Sequence, residues 1–96
     1  MDPNQKVIVM DVKEAVGLAK KHVRDLFADE LPENIGLEEV DYDDRLEVWH
    51  ITVGFSRPWE REFGAIAFPP NRSYKVVSIT ETGQVMSVKN HRTADA

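Results

Sequence analysis

The sequence predicts an α+β fold in which one N-terminal amphipathic helix packs on a curved antiparallel sheet of three to four strands. Three observations predict it. Apolar residues recur at three- and four-residue spacing from Val12 to Phe27. Beyond Gly36 their period changes to two. The chain has 96 residues, which fit one domain and leave no room for a second core, so helix and strands must share one. The expectation is a single domain over 1–96 with its ordered core at about 7–91. Residues 1–6 and 93–96 are expected to fray, having nothing apolar to anchor them.

The helix begins at Asp11, whose side chain is suited to cap it. Glu14, three residues on, supplies the reciprocal half of a capping box, and Met10 is placed to pack on Ala15 as a staple. Val12, Ala15, Val16, Ala19, Val23, Leu26 and Phe27 form the apolar stripe; Lys13, Glu14, Lys20, Lys21, Arg24 and Asp25 fill the other side. This makes a helix of about 17 residues, roughly 25 Å long. It should end near Asp29, because Pro32 disfavours helical geometry at Leu31.

After a linker at Pro32–Gly36, a first strand is expected over Leu37–Tyr42, with Asp43-Asp44 as a polar turn. The strongest strand follows: Trp49, Ile51, Val53 and Phe55 share the face meant for the helix, and Val48, His50, Thr52 and Gly54 share the other. Pro58 stops it. Tyr74–Thr80 and Val85–Asn90 are the third and fourth strands, joined by Glu81-Thr82-Gly83 as a tight hairpin in which Gly83 supplies a positive φ. Lys6–Met10 is either a further edge strand or a lead-in.

The opening helix Asp11-Val12-Lys13-Glu14-Ala15-Val16-Gly17-Leu18-Ala19, the aromatic-led strand Val48-Trp49-His50-Ile51-Thr52-Val53 and the closing hairpin Tyr74 to Val85 together resemble a PepSY-like domain, a cystatin-like helix-on-curved-sheet shape. The resemblance spans about residues 11–90. It implies a non-catalytic module, in some members thought to restrain a peptidase, and it carries over no functional residue.

Composition narrows the function. The chain lacks cysteine, which excludes disulfides, thiolate nucleophiles and zinc sites built on sulfur. Only four apolar residues, Val7 to Met10, follow the polar N-terminus. A secretory signal needs about 7–15 and a membrane span about 20, so the expected location is cytoplasmic, although a mature exported fragment would look the same. Residues 1–48 carry 13 acids against 6 bases, a net −7, and residues 49–96 carry 4 against 6, a net +2. Asp29–Glu47 alone holds nine carboxylates against Arg45. Such a field repels nucleic acid and anionic membranes and suits a basic protein partner. Charge of this kind also serves simply to keep a small domain soluble.

Two segments are candidates for a binding role. The connection from Arg57 to Arg72 has sixteen residues, where a plain hairpin loop needs about two to five. It carries Arg57, Trp59, Arg61 and Phe63, residue types enriched at interface hot spots. The competing account is that Phe63, Ile66 and Phe68 fold back to close one end of the core. The second segment is the acidic run Glu38–Asp44, where Glu39, Asp41 and Asp43 would share one strand face about 7 Å apart in succession. It lacks the turn-forming glycine and carbonyl register of a calcium loop, so a solvated face or a patch for a basic partner is the better account.

No spacing joins His22, His50 and His91, and Ser56, Ser73, Ser78 and Ser87 lack a nucleophile's context. The expectation is therefore no enzyme, no metal and no cofactor. The leading reading is a small protein-binding module, an inhibitor or immunity-type neutraliser. One alternative is a ligand pocket between helix and sheet lined by Trp49, Tyr42 and His50. Another is a homodimer through a sheet edge at Lys6–Met10 or Val85–Asn90.

Overall fold

The computed structural model describes residues 10–58 and 72–91. Helix α1 spans Val12–Leu26. Its start is fixed as the sequence requires: Glu14 N donates to Asp11 Oδ1 at 2.8 Å and Asp11 N donates to Glu14 Oε1 at 3.1 Å, a complete capping box. The helix stops a little before the expected end. Phe27 leads into a short 3-10 turn over Ala28–Glu30, and Leu31 then takes a left-handed conformation, φ 54°. Pro32 explains the stop, since it bars Leu31 from continuing the helix.

Four strands follow as a meander in the order β1-β2-β3-β4: β1 Glu33–Asp43, β2 Val48–Ser56, β3 Ser73–Thr80 and β4 Val85–Asn90, each antiparallel to its neighbour. The strand expected over Leu37–Tyr42 is longer than its alternation suggests. The presumed linker Glu33–Gly36 is already paired with β2, through two irregularities, between Glu33 and Gly36 and between Leu37 and Glu39. Asn34, with φ 54°, absorbs the first. Asp43 is the last residue of β1, so the turn is Asp44–Glu47, with Glu47 left-handed at φ 59°. The Asp43 carboxylate accepts from Arg45 N at 3.0 Å and Leu46 N at 3.1 Å, the local bonding that makes Asp a turn former.

The β3–β4 hairpin closes on Gly83, φ 92°, whose N–H donates to Thr80 O at 2.9 Å. Here the expectation and the structure agree. An additional residue, Met86, interrupts the pairing of β4 and points its exposed side chain to solvent.

α1 covers one face of the sheet. Ala15, Ala19 and Val23 on the helix meet Ile51, Val53, Phe55, Val77 and Ile79 from the strands, all fully buried. The two alanines let the helix backbone approach β2 closely, and each large side chain sealed beneath it contributes about 1.5–3 kcal/mol. The apolar stripe is less buried than its spacing suggests at both ends: Val12 and Leu26 are exposed, whereas Leu18 packs on the core. No helix among the described residues is long and apolar enough to cross a membrane.

Candidate functional site

Among the described residues β1 is an edge strand, and its two sides differ chemically. Glu39, Asp41 and Asp43 pair with Thr52, His50 and Val48, so they stand on the face of the sheet opposite the helix. Their shared face is the one the period-two alternation predicts. The irregularity between Leu37 and Glu39 adds a fourth carboxylate to it. Glu38 folds over Gly54, where a Cβ would lie 2.6 Å from Glu38 Oε2, and accepts from Arg72 Nη2 at 3.2 Å. Two consecutive acids on one face would not be expected of a regular strand, but a bulge permits them.

A shallow hollow of about 320 Å³ opens there, lined by Glu38, Glu39, Thr52, Tyr74 and His91. His91 closes it from the far side. Its N–H donates to Tyr74 O at 3.1 Å, its ring meets Tyr74 edge-on at 6.5 Å, and its Nε2 lies 3.8 Å from Glu39 Oε1. Next to the hollow His50 Nδ1 and Ser78 Oγ share a hydrogen bond of 2.9 Å across β2 and β3. The side chain of Glu39 is 66% exposed, and Asp41 is exposed beside it. Chemically this surface offers negative charge and hydrogen-bond acceptors to a cationic group. Among the described residues no three His, Asp or Glu side chains converge to hold a metal ion.

The residues expected at the interface separate in space. Arg57, only 11% exposed, is held within the fold on the helix side. Its Nε donates to Glu30 Oε1 and its Nη1 to Ser73 Oγ, each at 2.5 Å, and its guanidinium lies 4.9 Å from the Phe55 ring centroid. It ties the 3-10 turn to β2 and β3, with Phe27 and Phe55 beneath it at a ring separation of 5.3 Å. The acidic column stands on the opposite face. Asp43 is half-buried in its turn, and Trp59, Arg61 and Phe63 lie outside the described residues.

Among the described residues, the space between helix and sheet where the sequence suggests a pocket is filled. Val23, Ile51 and Val53 fill that space with no exposure, and Val16 packs against them. Tyr42 and Trp49 do meet on the helix side, ring centroids 4.7 Å apart, but His50 projects from the other face. The period-two rule separates His50 from Trp49 in any strand.

A different depression lies along the seam between α1 and β1. It is a groove of about 370 Å³ lined by Val12, Lys13, Val16, Gly17, Lys20 and Leu37. Sequence reasoning missed it, although a signal was present: Gly17 interrupts an otherwise good helix, and a Cβ there would meet nothing within 4 Å. Comparison of the chain with models of known families, with curated proteins and with solved structures finds no match.

Proposed function

We propose that this chain is a small non-catalytic protein-binding module that takes a basic partner, in the manner of an inhibitor or immunity-type neutraliser. The observation that carries this reading is the one-sided covering of the sheet: α1 seals one face, and on the other Glu39 and Asp41 stand exposed on the edge strand. A rigid sheet holds these carboxylates at fixed spacing, which suits them to steer and orient a cationic surface. A PepSY-like relationship belongs to the same proposal, supported by the helix-first order and the four-stranded meander. So do the anchors Trp59, Arg61 and Phe63 of the long connection.

The test is affinity capture from native lysate with the wild-type chain, a Glu39→Lys/Asp41→Lys double variant and a Trp59→Ala/Phe63→Ala double variant. A salt-sensitive partner is expected on the wild type, with retention at least about tenfold lower on the charge-reversed chain, equivalent to about 1.4 kcal/mol. A partner held equally by all three chains would overturn the reading.

A further inference from the structure

We infer that the outer edge of β1 accepts an added strand: an extended partner segment in which basic and apolar residues alternate. The inference rests on the protein-binding reading above and names the form the partner takes.

Three features of the edge meet in one place. Glu39–Asp43 pair one-to-one with Val48–Thr52, giving five regular residues, about 17 Å of strand, downstream of the two irregularities. Among the described residues no strand pairs with the other side of β1, so its backbone groups there present a ladder to a newcomer. The side chains on its two faces then dictate what the newcomer carries. On the open face stand Glu39 and Asp41. On the helix side stand Leu37, 44% exposed, Val40, 37% exposed, and across the groove Val12, 42% exposed.

An added strand places alternate residues on these two faces. Basic side chains on the open face would meet carboxylates; apolar ones on the helix side would meet Val40 and, just beyond the regular segment, Leu37 and the groove, where Gly17 leaves the helix backbone bare. Lys13 and Lys20 border that groove and repel a basic residue set in the wrong phase. The pattern therefore selects both composition and register.

A second copy of this chain fits the edge poorly. Antiparallel pairing of β1 with itself about Asp41 would set Asp41 against Asp41 and Glu39 against Asp43, like charges directly opposite on one face. The acidic column thus opposes self-pairing and favours a basic strand.

The experiment uses the isotope-labelled full chain and an acetylated heptapeptide in which lysine and valine alternate. A block-ordered isomer of identical composition controls for charge and hydrophobicity. Copies N-methylated on either set of alternate residues control for ladder hydrogen bonds. The alternating peptide should bind at least about tenfold more tightly than its isomer and slow amide exchange within residues 39–43. One of the two N-methylated copies should lose that advantage. At Gly17 a Cβ meets nothing within 4 Å, so Gly17→Leu projects its side chain into the groove; it should weaken the alternating peptide about fivefold or more, with the unchanged urea midpoint of the variant showing that the fold is intact.

Equal affinity for the two isomers, or binding that leaves β1 amides unprotected, overturns strand addition. If a captured partner still depends on Glu39 and Asp41 in that case, the protein-binding reading stands and only its strand-addition form falls. If the charge-reversed chain also captures the partner equally, both fall together.

Discussion

A Cβ built on Gly54 would meet Glu38 Oε2 at 2.6 Å and Arg72 Nη2 at 2.8 Å, whereas one on Gly83 would meet Met10 Cε at 3.1 Å. By distance alone Gly54 looks the more constrained. The backbone reverses that order. The atoms nearest to Gly54 are mainly the far ends of two flexible side chains, free to swing away, and the ion pair they form is partly exposed, worth about 0–1 kcal/mol. Gly83 sits at φ 92°, where an L-residue is strained whatever space surrounds it. Gly54→Ala should therefore cost less than about 1 kcal/mol in urea unfolding, and Gly83→Ala about 1–2 kcal/mol. Equal losses would show that the Arg72–Glu38 pair is stiffer than its exposure implies. Gly83 was legible in the sequence because a two-strand hairpin needs a left-handed residue near its turn. Gly54 was not, because the group it admits comes from a bulged residue sixteen positions earlier. The same long-range placement hid the partners of Arg57. An arginine after a strand looks like an interface anchor until Glu30, Ser73 and the two phenylalanines are brought around it.

At the scale of the element, α1 holds one strong local device and one weak point. Its capping box satisfies N-terminal backbone donors that would otherwise face water, so Asp11→Ala should destabilise the protein by about 1 kcal/mol. Gly17 lies in the middle of the same helix with open space around it, so Gly17→Ala should stabilise by about 0.5–1 kcal/mol. Opposite shifts of the urea midpoint are the expected result. A loss of stability at Gly17→Ala would mean that the position is constrained by something other than helix propensity. The helix and the last three strands were readable because each carries its own periodicity and punctuation. β1 was only half readable. Its regular part, Glu39–Asp43, alternates cleanly, but upstream the bulges break the alternation, and Asn34 takes up the irregularity with a left-handed backbone. A period-two search loses a strand at that point. The seam groove was only hinted at, by Gly17 in the helix, for a related reason: it is made by two elements whose relative placement only packing decides.

At the scale of the molecule, the described residues form a sheet of four strands that must hold its edge strand β1 with pairing on one side only. Tyr42 supplies a second attachment. Its ring lies against Trp49 of β2, and its hydroxyl donates to the carboxylate of Glu81 in the turn just after β3, so the side chain spans from the edge strand across β2. This contact should make the fold sensitive to alkali. The hydrogen bond to Glu81, then burial, then the nearby negative charges of Glu81, Glu47 and Asp44 push the Tyr42 phenol up from its ordinary 10 to about 12. All of these act against phenolate, which could no longer donate and would face the Glu81 carboxylate as a like charge. Because the folded state holds the proton more tightly than the unfolded chain, the stabilisation is fully present below pH 10 and disappears as pH rises through about 12. Tyr42→Phe removes the titration while keeping the ring against Trp49. Urea unfolding between neutral pH and pH 12 should therefore show wild type losing its advantage over Tyr42→Phe in the alkaline limb alone, while lysine deprotonation, common to both chains, cancels in the comparison. A constant difference across that range would mean that Tyr42 does not hold the edge through its proton. A difference that closes at high pH would identify the Tyr42 proton as one of the ties that fasten β1, the strand proposed to receive the partner, to the far side of the sheet.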